Sequence, residues 1–153
     1  TSLEHYTLAD SNLLGEARLS FLFWDVYDAK LYVEEVNYDP DKSFALSLRY
    51  LMEFEGIAIA RRSIDEIRKQ GLEDESQLLL WQRSLERLFP NVAEGDEIVG
   101  ISKPDKGASF YLNGSLIGTI KDKNLSRKFF DIWLSEKTSE PEMRKSLLGQ
   151  NDS

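Results

Sequence analysis

Alternation of apolar and polar positions near the start of the chain predicts the strands of a β-sheet. Residues 16–35 are rich in aromatic and branched side chains and contain no Gly or Pro, as in one long bent strand or two strands in sequence. Asp25 has the same parity as the apolar positions on either side of it, so we expect a bulge or bend near residues 24–26. Residues 37–41 are typical of a turn, and strand alternation returns at residues 43–52.

The middle of the chain changes to the period of a helix. Apolar residues recur every three or four positions, which predicts a first helix that ends near Gly71. A second helix is expected to begin at a cap formed by Asp74 with Gln77 and to run to about Phe89, before Pro90. The apolar stripes are Ile57, Ala60, Ile64 and Ile67 in the first helix and Leu78, Trp81, Leu85 and Leu88 in the second.

The last third of the chain repeats the order of strands followed by helices. A short strand at residues 97–102 precedes two more, 109–112 and 116–120, which flank the dipeptide Asn113-Gly114. Both residues of this dipeptide accept a positive φ, so it favours the type I′ turn of a β-hairpin.

Two further helices complete the predicted fold. Asp122 or Asn124 can cap the third helix, and Ser139 with Glu142 predicts a capping box before the fourth. The sequence contains no internal repeat, low-complexity segment or linker. We therefore predict one α+β domain over residues 1–153, an antiparallel β-sheet with a layer of α-helices on one face.

Composition narrows the possible chemistry. The chain contains no cysteine and one histidine, which excludes thiol nucleophiles, disulfides and Cys/His zinc sites. Its formal net charge of -8 makes nucleic acid an unfavourable partner, and no apolar run is long enough to cross a bilayer. Any site must therefore rely on carboxylates, hydroxyls, arginine or lysine, and we expect no metal or other cofactor.

The first residue bears on where the protein resides. The chain starts at Thr1, not Met, so we expect a periplasmic or secreted protein whose signal has been removed. A trimmed cytoplasmic chain is the alternative, and the absence of cysteine is compatible with either compartment.

Arg18 and Tyr27 are the candidate binding residues in the predicted sheet. Most of the aromatic block is expected to be core (Phe21, Phe23, Trp24, Tyr27, Tyr32, Phe44 and Tyr50). Arg18 precedes the apolar strand and could point along it toward Tyr27, where a guanidinium and a hydroxyl over an apolar floor would bind a carboxylate or phenolate. An ordinary surface arginine is the alternative interpretation.

Two long segments resemble the chalcone isomerase-like family. GEARLSFLFWDVYDAKLYVEE followed by SFALSLRYLMEF is similar to the opening of that fold, and FYLNGSLIGTIKDKNLSRKFFDIWLSEKTSEPEMRKSLLG is similar to its other half. The resemblance covers the chain from Gly15 to Gly149 and is nearest to bacterial members, which typically carry export signals. It implies an open-faced sandwich, in which a ligand cleft lies between an antiparallel sheet and a helical layer.

The resemblance also bears on catalysis. Plant enzymes of this family cyclise a chalcone, with an arginine that stabilises the enolate, a threonine and a tyrosine. Arg18 matches that arginine, but Tyr27 stands at the threonine position, and residues 53–66 lack the expected tyrosine and asparagine. Arg18 and Tyr27 are more similar to the branch that binds fatty acids without catalysis. The resemblance therefore implies a non-catalytic protein that binds a small amphipathic anion, either fatty-acid-like or an aromatic acid.

Two other hypotheses remain open from the sequence. One is an isomerase or lyase acting on an enone or phenolic substrate, with Arg18 stabilising an enolate. The other is an interaction module without a ligand, in which side chains fill the cleft and Arg18 forms an internal salt bridge. The sequence does not determine the oligomeric state.

Overall fold

A six-stranded antiparallel sheet forms one layer of the molecule. The computed structural model describes residues 11–150, and within them the strands lie in the sheet in chain order. Strand alternation in the sequence predicted strands in each of these regions, with residues 16–35 left as one bent strand or two, and the hairpin pairs need only short turns. The strands are β1 (Asn12–Phe21), β2 (Trp24–Val33), β3 (Phe44–Tyr50), β4 (Glu97–Lys103), β5 (Gly107–Leu112) and β6 (Ser115–Ile120).

Four helices in the described part of the chain form the second layer. Their buried residues join one core with the side chains from a single face of the sheet. A separate small cluster, Ala45, Val99 and Ile101, lies on the opposite face, where no helix contributes to it. The predicted α+β architecture is thus confirmed. The helices are α1 (Gly56–Lys69), α2 (Glu75–Leu88), α3 (Lys123–Leu134) and α4 (Pro141–Leu147).

The segment 16–35 forms two strands, and the expected bulge is confirmed. Leu19 pairs with Tyr27 and Ser20 pairs with Asp25, so Val26 is the extra residue on β2. The bulge changes the parity of the strand and removes Asp25 from the apolar face, where an ionised carboxylate would be costly.

The expectation that most of the aromatic block is core is wrong for the end of this hairpin. Phe21, Phe23 and Trp24 are exposed, together with Leu22. The hairpin extends beyond the helical layer at this end, so no second layer covers these side chains. Tyr27, Phe44 and Tyr50 of the same block do pack with the core, as predicted.

One predicted hairpin turn and two predicted helix caps are confirmed, and a third cap is wrong. Asn113 and Gly114 both have positive φ, 49° and 91°, in a two-residue hairpin loop. Asp74 accepts a hydrogen bond from the amide of Gln77, and Asp122 accepts from two amides at the start of α3. The capping box at Ser139 is wrong, because α4 begins after Glu140 without a side-chain cap. None of the described helices is long and apolar enough to span a membrane.

Candidate functional site

A cavity of about 320 Å³ lies between the sheet and the helices. Strands β2 and β3 form its floor, and helices α1 and α3 form its walls. Its volume is at the lower end of the range for small-molecule pockets, about 300–1,000 Å³. Most of the lining is aliphatic or aromatic, and six representative residues are Leu46, Leu48, Ile59, Phe110, Phe129 and Ile132.

Polar side chains gather at one part of the cavity wall. Two are tyrosines of the sheet, Tyr27 and Tyr50, whose rings meet edge to face at 5.8 Å between centroids. The others are Arg62 and Glu66 on α1 and Glu140 at the start of α4. An otherwise apolar cavity with a few convergent polar groups is the usual form of a small-molecule site.

Tyr27 is held by a hydrogen bond across the cavity wall. Its hydroxyl accepts from the indole Nε1 of Trp133 on α3 at 2.8 Å. Burial raises the pKa of Tyr27 to about 12, while the hydrogen bond from Trp133 and the charge of Arg62 act in the opposite direction. The hydroxyl is therefore protonated at neutral pH, and its proton donates to no acceptor within residues 11–150.

Tyr50 adds a second hydroxyl to the same part of the cavity. Burial also raises the pKa of Tyr50, so this hydroxyl is protonated as well. Among the described residues, no buried polar side-chain atom lacks a hydrogen-bond partner. Tyr50 makes no hydrogen bond to a described side chain, so its hydroxyl faces the open space of the cavity and can donate to a ligand there.

Arg62 extends from α1 to the rim of the cavity. Its Nε donates to Oε2 of Glu66 at 3.2 Å. The Arg62 side chain as a whole is 68% exposed. The remaining N–H groups of Arg62 donate to no other acceptor within the described residues. A guanidinium with free N–H groups beside an apolar cavity can bind a carboxylate.

Glu66 is a buried carboxylate whose charge is compensated on several sides. It accepts hydrogen bonds from Arg62 and from Lys69, each at 3.2 Å, and from the hydroxyl of Ser139. Burial acts to raise the pKa of Glu66, but the hydrogen bonds from Ser139 and Lys69 outweigh it and the pKa is lowered. Glu66 is therefore ionised at neutral pH and holds Arg62 in position.

The structure does not bring Arg18 to Tyr27. Ala17 and Leu19 pack toward the core, so Arg18 between them lies on the opposite face of the sheet. Arg18 donates to both carboxylate oxygens of Asp28, at 2.6 and 3.0 Å. Arg18 therefore has the position of an ordinary surface arginine, which was the alternative interpretation. Its side chain is half exposed and does not line the cavity.

The apolar stripe predicted for the first helix does not include Arg62, so the sequence did not indicate it as a site residue. The signal that could have found it is a second stripe on α1, Ile59, Arg62, Ser63 and Glu66, at helical spacing beside the core stripe. Ile57, which the predicted core stripe included, is exposed instead. The other three residues of the predicted stripe, Ala60, Ile64 and Ile67, are buried as expected, and the cavity lies beside them.

Within residues 11–150, no three His, Asp or Glu side chains come together in a way that could hold a metal ion.

Comparisons with known proteins agree with this architecture. A family model described as chalcone isomerase-like matches residues 6–149. No curated protein matches the sequence. The crystal structure of a fatty-acid binding protein from Arabidopsis thaliana has the same fold, with a TM-score of 0.67 and 16% sequence identity over 92% of this chain and 87% of that one. The family match and the shared fold lead to one conclusion: the chain belongs to the chalcone isomerase-like family.

Proposed function

We propose that the protein binds a small amphipathic carboxylic acid without converting it. The apolar cavity receives the hydrocarbon part of the ligand, and Arg62 with the hydroxyls of Tyr27 and Tyr50 binds the carboxylate. The observation that carries the proposal is the guanidinium of Arg62 at the rim of a mostly apolar cavity, where its N–H groups other than Nε–H have no acceptor among the described residues. A structural neighbour named as a fatty-acid binding protein supports the same class of ligand.

In this proposal Arg62, and not Arg18, binds the carboxylate of the ligand. Arg18 already forms a bidentate pair with Asp28 on the far face of the sheet. Arg62 uses one N–H group on Glu66 and keeps the others for a ligand. Tyr27 keeps the part that the sequence suggested, because its hydroxyl lines the cavity and has a proton to donate.

The rim also contains two carboxylates, whose effect on an anionic ligand must be considered. Glu66 is already neutralised by its neighbours, whereas Glu140 is solvent-exposed and carries an unpaired charge within the described residues. Repulsion from Glu140 opposes an anion, so direct hydrogen bonds from Arg62 and the tyrosines must supply the specificity. The apolar contacts supply most of the remaining affinity.

Calorimetric titration of delipidated protein with decanoate and decanol tests the proposal. The two probes have the same hydrocarbon chain and differ in the charged end. We expect Arg62→Met to weaken decanoate binding by about tenfold or more, because a charge-assisted hydrogen bond is lost. Decanol binding is expected to be unchanged, since it depends on the apolar cavity.

Two arginines serve as matched controls. Arg61 neighbours Arg62 on α1 but does not line the cavity, and Arg18 lies on the other face of the sheet. Arg61→Met and Arg18→Met are expected to bind decanoate as the unmodified protein does. Absence of decanoate binding, or an equal loss in Arg61→Met and Arg62→Met, would contradict the proposal. A loss confined to Arg18→Met would restore the original assignment.

A further inference from the structure

The end of the β1–β2 hairpin exposes four large apolar side chains in a row. Residues 21–24, here called the hairpin tip, are Phe21, Leu22, Phe23 and Trp24, and their exposed fractions lie between 62% and 97%. Scattered exposed apolar residues are normal in soluble proteins, but contiguous ones mark an interaction surface. The hairpin tip takes no part in the cavity.

The local conformation of the hairpin tip shows that turn formation does not explain its composition. Phe21 pairs with Trp24 across a two-residue loop, and Leu22 has a φ of 56°. Loops of this kind favour Gly, Asn or Asp, and this protein uses Asn113-Gly114 in its other two-residue hairpin loop. Leucine in the left-handed region is unfavourable, so the apolar side chains are kept at a conformational cost.

A polar collar begins directly behind the hairpin tip. Asp25 accepts hydrogen bonds from Ser20 at 2.7 Å and from Arg18 at 3.3 Å, and Arg18 also pairs with Asp28. The apolar surface is therefore confined to the last strand pair and the two loop residues of the hairpin, about 7 Å along its axis. That depth matches the about 5–10 Å to which interfacial segments enter the boundary between lipid headgroups and acyl chains.

The size and shape of the hairpin tip favour a lipid surface over a protein. A specific protein interface uses about 20–30 residues on each side, whereas the hairpin tip has four and charged residues follow at once. A convex tip enters a fluid bilayer without needing a complementary groove. Tryptophan beside phenylalanine and leucine is the composition typical of a membrane interface.

We propose that the hairpin tip, Phe21–Trp24, inserts into the surface of a lipid bilayer and docks the protein there reversibly. The surrounding charges select the lipid. The chain carries a formal charge of -8, and the collar residues Arg18, Asp25 and Asp28 include more acidic than basic groups. The preferred surface is therefore zwitterionic, such as phosphatidylcholine, and anionic lipid weakens docking at low salt.

Docking also has a consequence for the cavity, which rests on the proposed function. Leu19 and Val26 lie on the same hairpin, at the level of the collar residues, and both line the cavity. A docked hairpin tip therefore brings the cavity close to the membrane surface. An amphipathic acid could then move between bilayer and cavity over a short path.

Flotation with phosphatidylcholine vesicles tests the proposal. We expect the unmodified protein to float with the vesicles. We expect Phe23→Ser to bind the vesicles at least about tenfold more weakly, because one large apolar side chain no longer transfers from water into the bilayer. Val36→Ser is the matched control, since Val36 is 83% exposed in the loop after β2 and does not belong to the hairpin tip. This variant is expected to float as the unmodified protein does.

Tryptophan fluorescence locates the contact. Trp81 and Trp133 are buried, so a blue shift on addition of vesicles reports Trp24. Trp24→Phe keeps an aromatic side chain and is expected to float without the blue shift. A shift that persists in Trp24→Phe would overturn insertion of the tip.

Other outcomes decide against docking. Absence of flotation, or equal flotation of Phe23→Ser and the unmodified protein, would overturn it. A dimer in light scattering that Phe23→Ser dissociates, without lipid binding, would assign the hairpin tip to a second copy of the chain instead. Decanoate titration without vesicles separates the two proposals, because Phe23→Ser is expected to retain decanoate binding whether or not the hairpin tip binds lipid.

Discussion

Glu66 links helix α1 to the segment before α4 through one buried carboxylate. Its side chain is 8% exposed and accepts hydrogen bonds from Arg62 and Lys69 on its own helix. It also accepts one from Ser139, which lies just before α4. A buried ion is tolerated only when its oxygen atoms are satisfied in this way, so Glu66 fixes α1 against the chain that leads into α4.

Substitution of Glu66 should change the dependence of stability on pH. The lowered pKa of Glu66 stabilises the folded state above the pKa of an unfolded glutamate, and this contribution is lost as the pH falls through the folded-state pKa. We expect Glu66→Gln to lower the free energy of unfolding at neutral pH by about 1–3 kcal/mol. The fall in stability between about pH 5 and pH 3 should be smaller in the variant than in the unmodified protein.

Urea unfolding at several pH values measures both effects. Glu140→Gln is the matched control, because Glu140 is exposed and makes no ion pair within the described residues. It is expected to unfold as the unmodified protein does at neutral pH. If Glu66→Gln showed the same acid dependence as the unmodified protein, Glu66 would not be the group responsible.

The choice between Arg18 and Arg62 shows what residue patterns cannot decide. Arg18 follows the family resemblance and stands one residue from apolar positions, so the sequence favoured it. Strand parity and the pairing with Asp28 place it away from the helices. Arg62 lies outside the predicted apolar stripe of its helix, and a helical pattern does not show which part of the helix edge borders an unfilled space.

At the scale of elements, Asp122 joins two helices at one carboxylate. Its Oδ1 caps α3 by accepting from the amides of Asn124 and Leu125, at 2.9 and 3.1 Å. Its Oδ2 accepts from the indole Nε1 of Trp81 on α2 at 3.2 Å. The sequence predicted the cap from local spacing, but the bond to Trp81 depends on how two helices pack.

A comparison of the caps at Asp74 and Asp122 should separate the contribution of capping from that of the hydrogen bond from Trp81. Asp74 caps α2 with a single amide, that of Gln77, whereas Asp122 caps α3 and also binds Trp81. We expect Asp74→Ala to lower the free energy of unfolding by about 1 kcal/mol and Asp122→Ala by about 2–3 kcal/mol, because the N–H of a buried indole also loses its partner. Chemical denaturation provides both values. Equal losses in the two variants would show that the bond to Trp81 contributes nothing.

Local signals succeeded where the required partner lies within a few residues. The Asn113-Gly114 loop and the two aspartate caps form as the sequence predicted. The Ser139 cap failed because its hydroxyl binds Glu66, 73 residues away. A buried carboxylate needs that donor more than the solvated first turn of α4 does, since water can satisfy an exposed amide.

At the scale of the whole molecule, the net charge opposes the proposed ligand at long range. The chain carries a formal charge of -8, while Arg62 provides a positive charge only at the cavity rim. Long-range repulsion slows the approach of an anion, whereas close hydrogen bonds act after it has arrived. The rates of association and dissociation should therefore respond differently to salt.

Stopped-flow measurements with decanoate and decanol can show this. Raising the ionic strength from about 0.01 M to about 0.15 M shortens the screening length from about 30 Å to about 8 Å. We expect the association rate constant of decanoate to rise over this range and that of decanol to stay constant. A decrease for decanoate would mean that the local field of Arg62 outweighs the charge of the molecule as a whole.

The sequence by itself determined the order of the elements, the bulge near Val26, the turns and the helix caps at Asp74 and Asp122. These features depend on side-chain period and on neighbours within a few residues, and both can be read along the chain. The order of the elements also predicted the sheet with its single helical layer, the family resemblance implied the same fold, and the structure confirms it.

Only the tertiary structure decided which side chains meet in the cavity and which remain uncovered. Tyr27 and Trp133 are 106 residues apart in sequence and bind each other at 2.8 Å. The hairpin tip has the composition of a core segment, yet it extends beyond the helices and stays exposed. The period of a pattern shows which residues share a face, but the packing of distant elements determines what lies opposite that face.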